Sequence, residues 1–324
     1  MTPAISVALC TYNGERYLRQ QLDSILNQTL AVDEIVVCDD ASSDGTPAIL
    51  EQYRLRFPGL FRIVRNDENL RSVRNFEKAI SLCGGDIIFL ADQDDAWVAA
   101  KVADYVTFFD AHPAIRVLAS NGFYMDEASA TAEKYALWDV PEFLREQQIP
   151  FDYLDLIVTL CNIATGASMA IRKEILPEIL PFPLVEGLHH DAWIATIAAK
   201  NQGFELLNEK YFYYRIHREQ QVGSVFYART QREKKRLTEL FDLANFELDF
   251  SSYKKRLKLI SESCNRHHQL QLQAENHREY FREHVRRGAD HFSENKRQLA
   301  QRFPWSALGL HVSDKILKRR QLEK

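Results

Sequence analysis

The chain has 324 residues, 46% hydrophobic and 27% charged, which is typical of a soluble globular protein with one large or two medium domains. No apolar run approaches the roughly 20 residues that span a bilayer, and no basic leader with an apolar core begins the chain, so neither a membrane span nor a signal peptide is expected. The five cysteines are scattered without a CxxC pair. We therefore expect reduced thiols in a cytoplasmic protein, and neither a zinc site nor a nucleophilic cysteine.

The net charge of −4 conceals two oppositely charged regions. Residues 226–324 carry 22 Lys or Arg and 13 Asp or Glu, whereas residues 1–225 carry 19 and 32. The sequence thus predicts an acidic body over 1–225 and a basic region over 226–324 with different partners.

Apolar runs alternate with amphipathic patterns over the first hundred residues. The apolar runs predict strands at 4–10, 34–38, 61–64 and 86–91. Between them, apolar residues at helical spacing predict three helices, the last near 72–83. This β-α-β-α-β-α-β order is typical of an α/β fold with a mostly parallel sheet, in which ligands bind beyond the carboxyl ends of the strands.

Polar clusters follow three of these strands. They are Thr11-Tyr12-Asn13, Asp39-Asp40 and Asp92-Gln93-Asp94-Asp95. Three carboxylates so close together raise each other's pKa unless a cation lies among them, and oxygen ligands suit Mg²⁺ or Mn²⁺. The acids alone are equally compatible with a solvated turn that caps the next helix, but three clusters at one sheet edge favour a site. Neither GxGxxG nor GxxxxGK[ST] occurs, which excludes a P-loop.

Further strands are predicted at 114–120 and 211–217, and helices over 229–302. Between them, Asp191 stands where a helical pattern begins, Gly166 lies in an apolar segment and His217 ends the last strand. From the residues alone, Asp191 is either a helix cap or a general base. Gly166 either belongs to a buried strand or allows the backbone to approach a ligand. His217 is either structural or a ligand.

Four segments carry a family resemblance: 6–14 (SVALCTYNG), 36–46 (VVCDDASSDGT), 69–75 and 89–97 (FLADQDDAW). In order and spacing they resemble family 2 glycosyltransferases with the GT-A fold, and the DQDDAW form is most similar to the rhamnosyltransferase-like branch. The resemblance is specific over about residues 4–110 and looser to about 225. One departure is Asn69-Leu70-Arg71, where the family usually has Asn-x-Gly; Arg71 either contacts the donor or lies on the surface.

The resemblance implies metal-dependent, inverting transfer of a sugar from a dTDP- or UDP-sugar to an oligosaccharide or lipid-linked saccharide, in cell-surface polysaccharide synthesis. It implies Asp191 as the catalytic base and Asp94, Asp95 and His217 as ligands of Mg²⁺ or Mn²⁺. It implies substrate contacts by Thr11, Tyr12, Asn13, Asp39, Asp40, Arg74, Asp92, Gln93, Gly166, His190, Trp193, Arg215 and Arg218. Among these, Arg215 and Arg218 are candidates for the diphosphate, and His190 for the acceptor pocket.

Two other functions were weighed. A nucleotidyltransferase normally needs a basic, glycine-rich phosphate loop where this chain has residues 11–15 (TYNGE). A non-catalytic sugar-nucleotide-binding or scaffolding subunit is disfavoured because the acids are intact at every expected position.

The end of the chain, residues 305–324, combines apolar residues and a tryptophan with basic residues. This pattern suits an anionic membrane surface, and equally a helix that packs on the catalytic domain or on a second subunit in a homo-oligomer. Nucleic acid is not expected, because aromatic residues are not interleaved with the basic ones. We expect a cytoplasmic protein, peripheral on the inner face of the cell membrane.

Overall fold

The structure is a computed structural model that describes residues 3–220, 226–317 and 319–322. Its strands are β1 Ile5–Thr11, β2 Glu34–Asp39, β3 Phe61–Arg65, β4 Ile87–Asp92, β5 Ala96–Trp97, β6 Val117–Met125, β7 Thr131–Ala132, β8 Lys134–Tyr135, β9 Ala170–Arg172, β10 Phe204–Arg215 and β11 Tyr227–Ala228. Its helices are α1 Leu18–Leu26, α2 Thr46–Arg56, α3 Arg71–Leu82, α4 Lys101–Ala111, α5 Val140–Glu146, α6 Tyr153–Thr159, α7 Leu176–Ile179, α8 His190–Lys200, α9 Gln231–Phe241, α10 Phe250–Gln273, α11 Arg278–Arg302 and α12 Pro304–Leu317.

The main sheet is mixed but mostly parallel in its first half. Its strand order is β3-β2-β1-β4-β9-β6-β10-β5, with β7 paired to β6, and β8 pairs separately with β11. The strands β3, β2, β1 and β4 are parallel, whereas β9 runs antiparallel between β4 and β6. All seven residues of β1 are buried, as expected for a parallel strand covered on both faces. The predicted α/β class with helices at the C-terminal end is confirmed.

The register of the parallel strands brings the predicted polar clusters together. Thr11 at the end of β1 is the register partner of Asp39 in β2, and Cys10 is the partner of Asp92 in β4. Because these strands are neighbours and parallel, the loops that follow them leave the same edge of the sheet.

The start of α3 is held by Asp40. Its carboxylate accepts hydrogen bonds from the backbone N–H groups of Leu70 (2.8 Å) and Arg71 (2.9 Å) and from the Asn66 amide (2.8 Å). Arg71 has a φ of 64°, in the left-handed region, at the position where the family usually has glycine. Its side chain is exposed.

Replacing Arg71 with glycine should raise the free energy of unfolding by up to about 1 kcal/mol, because removing Cβ relieves the left-handed strain by more than the added freedom of the unfolded chain costs. Chemical denaturation measures the change. Arg71→Ala is the control, since it removes the same charge but keeps Cβ, and it should give no such gain. Equal effects of the two substitutions would contradict a backbone origin.

The described residues form two compact units. The first consists of Met1–Asp139, Ala164–Phe182 and His189–Ala228, and the second of Val140–Ile163, Pro183–Leu188 and Arg229–Lys324. All residues predicted to bind substrate or metal, and Asp191, belong to the first unit. The predicted boundary after residue 225 falls at residues 221–225, outside the described residues, so that division stays a prediction.

Long helices dominate the second unit. The buried Arg256 of α10 donates to the carbonyl oxygens of Leu240 (3.0 Å), Asp242 (2.9 Å) and Asn245 (2.5 Å), which stabilises the end of α9. The helices predicted over 229–302 end with α11 at Arg302, and Pro304 takes the first position of α12, where its missing N–H is not needed. In the described part of the chain, no helix combines the length and the apolar character needed to cross a bilayer.

Candidate active site

The loop after β1 is tied to the loop after β4 by Gln93. Its side-chain oxygen accepts from the Tyr12 N–H (2.7 Å), and its side-chain nitrogen donates to the Tyr12 carbonyl (2.9 Å). A Cβ on Gly14 would lie 2.1 Å from the same oxygen, so only glycine leaves room for this contact. Gln93 therefore positions the loop, and its predicted contact with substrate has no support in this arrangement.

Asn13 and Asp39 tie the loop after β1 to the loop after β2. The Asn13 side chain accepts from the Ser43 N–H (2.8 Å), and its backbone N–H donates to the Ser42 hydroxyl (2.9 Å). Asp39 is buried and accepts from the hydroxyls of Thr11 (2.9 Å) and Ser42 (2.5 Å). These side chains hold the strand-end loops in one arrangement.

Tyr12, Arg74 and Arg65 are open to solvent near these loops. Tyr12 is 39% exposed, and Arg74, whose side chain is 36% exposed, is paired with Glu77 at 2.6 Å. Arg65, which sequence reasoning missed, lies 3.8 Å from Asp39 and donates to the Ser42 carbonyl (2.8 Å). Arg65 ends β3, one of the four parallel strands, and a charged residue at this strand end could have been predicted to belong to the site.

The acids that follow β4 occupy strongly different environments. Asp95 is buried; one carboxylate oxygen accepts from the Arg215 N–H (2.9 Å), and the other has no hydrogen-bond partner among the described residues. Burial, followed by repulsion from Asp94, raises the pKa of Asp95 well above its usual range. Burial, with repulsion from Asp94 and Asp191, raises the pKa of Asp92 to about 7. Such a concentration of negative charge calls for a cation.

His217 is joined to Asp94. Its Nε2 lies 2.7 Å from Oδ2 of Asp94, and its Nδ1 lies 3.3 Å from the Glu219 N–H. Since that N–H makes Nδ1 an acceptor, Nε2 carries the proton and donates to Asp94. The structure thus brings together two of the three predicted metal ligands, His217 from the segment after β10 and Asp94 from the loop after β4.

The residues fit a divalent cation whose coordination is completed from outside the protein. The Asp94 carboxylate lies beside the His217 ring, which would offer Nε2 to a cation only after losing the proton it donates to Asp94, and Asp95 has a buried carboxylate oxygen without a partner among the described residues. Within residues 3–220, 226–317 and 319–322, no three or more His, Cys, Asp or Glu side chains already form a metal-binding group. The predicted set of three metal ligands therefore stays a prediction, and one or two carboxylates would hold Mg²⁺ only together with phosphate oxygens and water.

Asp191 lies in the first turn of α8. Its carboxylate accepts from the N–H groups of Gly166 (3.3 Å) and Ala192 (2.7 Å). An acidic side chain in the first turn interacts favourably with the positive end of the helix dipole. Gly166, which donates to Asp191, lies three residues before Met169, whose carbonyl accepts from the Leu90 N–H of β4 (2.9 Å), and Asp191 is among the charges that raise the pKa of Asp92. The structure therefore brings a later part of the chain to the acids of β4.

His190 and Trp193 support this turn from inside the protein. The His190 ring is stacked on Phe76 with centroids 3.9 Å apart, and a Cβ on Gly166 would lie 2.5 Å from its Nε2. Burial lowers the pKa of His190 to about 4, so the imidazole is neutral near pH 7. Trp193 is buried and donates to the Ile179 carbonyl (2.8 Å). Both side chains are buried in this arrangement, and their predicted substrate contacts stay predictions.

Arg215, which was predicted to contact the diphosphate, makes hydrogen bonds within the protein. Its buried guanidinium donates to the Asp94 carbonyl (2.7 Å), the Gln20 side chain (2.6 Å) and the Ser129 hydroxyl (2.9 Å). These acceptors occupy each of its nitrogens, so the predicted diphosphate contact has no support here. Arg218 is exposed, and its backbone N–H donates to a nearby glutamate.

Lys101 is a buried cation beside the acids that sequence reasoning missed. Its ammonium donates to the Ala167 carbonyl (2.8 Å) and lies 4.0 Å from the centroid of the Trp97 ring. Burial lowers its pKa well below the usual range, while Asp95 and Asp92 act in the opposite direction. The signal was its place on the apolar face of α4, where a lysine needs a partner.

The chain was compared with known protein families and structures. Residues 6–180, more than half of the chain, match the profile of Glycosyl transferase family 2. The chain belongs to glycosyl transferase family 2. This family 2 chain is 31% identical over 140 residues to the putative glycosyltransferase EpsE of Bacillus subtilis, which covers 43% of the chain and 50% of EpsE. It spans 32% to 50% of the length of the first curated relatives that it matches.

Two solved structures show the fold. One is S. aureus TarS 1-349 in complex with UDP-GlcNAc, with a TM-score of 0.53 and 15% identity over 92% of this chain and 91% of that one. The other is the mannosyltransferase PcManGT from Pyrobaculum calidifontis in complex with GDP-Man and Mn²⁺, with a TM-score of 0.51 and 16% identity over 98% of this chain and 81% of that one. The predicted GT-A fold of this family 2 chain is thereby confirmed.

Proposed function

We propose that the protein is a metal-dependent, inverting glycosyltransferase that moves a sugar from a nucleoside diphosphate donor to a saccharide acceptor. The observation that carries the proposal is the convergence of Asp191 with the acids of β4. The reaction has two halves; the acids of β4 would serve the first and Asp191 the second. One half is departure of a diphosphate, and the other is removal of a proton from the acceptor hydroxyl.

The donor's nucleoside would bind at the open edge formed by the loops after β1, β2 and β3. Tyr12 is the exposed aromatic there and Arg65 the exposed cation, both beside loops held by Asn13 and Asp39. Thr11, Asp39 and Asp40 are used by the protein's own hydrogen bonds, so their contribution is to shape this edge. Arg74 and Arg218 are the exposed arginines proposed to meet the base or the diphosphate.

The diphosphate would be held through Mg²⁺ or Mn²⁺ at Asp94 and His217, with Asp95 as the third candidate. When bound, the cation supplies Lewis-acid stabilisation of the charge on the departing nucleotide. The Asp94 side chain must exchange its hydrogen bond from His217 for this role. Asp92 is influenced electrostatically by both Asp94 and Asp191, and we assign it to the donor sugar or ribose.

Asp191 is the proposed catalytic base. A carboxylate can take the proton of the attacking hydroxyl, and the Gly166 N–H and the first turn of α8 hold this one in position. The neutral His190 beneath Gly166 positions the same turn without adding a competing charge.

The finer assignment rests on the DQDDAW form, which resembles the rhamnosyltransferase-like branch. On that resemblance we propose dTDP-L-rhamnose as the first donor to test, followed by UDP-sugars, and a growing or lipid-linked cell-surface saccharide as acceptor. The structure of PcManGT in complex with GDP-Man and Mn²⁺ supports binding of a nucleotide sugar together with a metal ion on this fold. GDP-sugars are therefore included among the donors to test.

Thermal unfolding with UDP, dTDP or GDP, each with and without Mn²⁺, tests the proposal. At a ligand concentration of 100 times Kd, the preferred nucleotide should stabilise the protein by about 2.7 kcal/mol, and it should do so only with the cation. The matching nucleotide sugar should then slowly release its nucleoside diphosphate. No stabilisation by any of the three would contradict donor binding, whereas binding without turnover would favour the non-catalytic subunit.

A further inference from the structure

The last helix of the second unit, α12, exposes a continuous apolar stripe. Its four residues, spaced by three, four and four positions, are Trp305 (85% exposed), Leu308 (58%), Val312 (50%) and Ile316 (72%). At 3.6 residues per turn this spacing puts all four on one side of the helix. The stripe is therefore a surface, in contrast to the single exposed apolar residues of most proteins.

The opposite side of α12 holds the helix in place. Ala307 and Leu310 are half-buried, and Asp314 is buried and paired with Arg320. Ala307, Leu310 and Asp314 lie about half a turn around the helix from the residues of the stripe. The fold of this region thus does not depend on the stripe, and substitutions there should leave the protein folded.

The surroundings of the stripe are strongly basic. Residues 295–322 contain seven Lys or Arg and a single acid, Asp314; Arg320 is paired with Asp314 and Arg297 with Glu294, which leaves five cations outside these two ion pairs. Lys315 and Arg319 are exposed next to the apolar stripe. One of the seven, Lys318, lies outside the described residues. The helix thus has an apolar stripe with a tryptophan at one end and uncompensated cations at the other. It complements a surface whose interior is apolar and whose outer layer is negatively charged.

We propose that α12 lies in the interface of an anionic membrane, with Trp305, Leu308, Val312 and Ile316 among the acyl chains and the cations at the headgroups. A second copy of the chain is the competing occupant. It is disfavoured because it would bring two strongly basic surfaces together. With 14 residues, about 21 Å at 1.5 Å per residue, the helix is too short to span a bilayer and suits a position along its surface.

Vesicle sedimentation of the full-length protein tests the proposal. The protein should partition onto vesicles of phosphatidylcholine with phosphatidylglycerol, more weakly onto phosphatidylcholine alone, and less at high salt. The double variant W305S/I316S should lose about tenfold or more in partition coefficient, because two large apolar side chains no longer enter the bilayer. K315E/R319E should lose about tenfold on anionic vesicles only.

Leu272→Ser is the matched control. Leu272 is 70% exposed, almost the same as Ile316, but it lies on α10 outside the stripe, so its loss should leave partition unchanged. Absence of binding by the wild type, or equal binding by W305S/I316S, would overturn the proposal. So would sedimentation velocity that shows a dimer dissociated by W305S/I316S without vesicle binding. Nucleotide stabilisation in solution should be the same in all variants, which separates this proposal from the proposed function.

Discussion

Replacing Asp191 with asparagine should lower the turnover number by about 10²-fold or more, while the affinity for the nucleoside diphosphate stays nearly unchanged. Asparagine has the shape of aspartate, and its side-chain oxygen can still accept from the Gly166 N–H. It cannot take a proton from the acceptor hydroxyl. Steady-state transfer and nucleotide titration, measured on the same preparation, separate the two quantities.

A helix-capping aspartate elsewhere in the chain provides the control. Asp249 begins α10 and accepts from the Ser252 N–H (2.7 Å), which is a purely structural task. Asparagine caps helices about as well as aspartate, so Asp249→Asn should change neither turnover nor stability appreciably. If D191N behaved like D249N, Asp191 would be a cap and the base would have to be sought elsewhere.

Replacing Asp94 with alanine should weaken nucleotide binding in the presence of Mn²⁺ by about 10²-fold, because the cation that attracts the diphosphate loses a charged ligand. Binding without the cation should hardly change. Calorimetric titration of the nucleoside diphosphate, with and without Mn²⁺, gives both values.

Removal of the cation by a chelator is the complementary control. In EDTA, wild type and D94A should bind the nucleotide equally weakly, since neither then has a metal. Glu127→Ala is the matched variant, because Glu127 is an acid near Arg218 without a proposed metal contact. A wild-type affinity that is the same with and without Mn²⁺ would sink the metal assignment at Asp94 and His217.

Local patterns were sufficient to predict the first half of the fold. The apolar runs of β1, β2, β3 and β4 and the periodic helices between them are properties of neighbouring residues, and a parallel sheet follows from their alternation. The polar residues at the strand ends were found for the same reason. A buried strand around Gly166 was one of two alternatives left open by the sequence, but the position and antiparallel direction of β9 were not predicted, because its three residues are selected by pairing with β4 and β6.

The roles of individual polar side chains were less predictable. Arg215 and Gln93 are of the types that bind phosphates and sugars, yet the protein's own carbonyls and amides occupy them. Lys101 was overlooked because a lysine in an amphipathic helix is normally solvated. Its burial becomes understandable once Asp92, Asp95 and the Trp97 ring surround it.

The sequence by itself determined the kind of chemistry available: carboxylates at the ends of buried strands, an aspartate at a helix start, and a basic, apolar end of the chain. These depend on residue type and spacing, which the linear order contains. Only the tertiary structure decided which groups are free to act. It joined His217 to Asp94, left one oxygen of Asp95 without a partner among the described residues and brought Asp191 near Asp92. The reason is physical: a side chain's pKa and free hydrogen-bonding capacity are set by neighbours distant in the sequence.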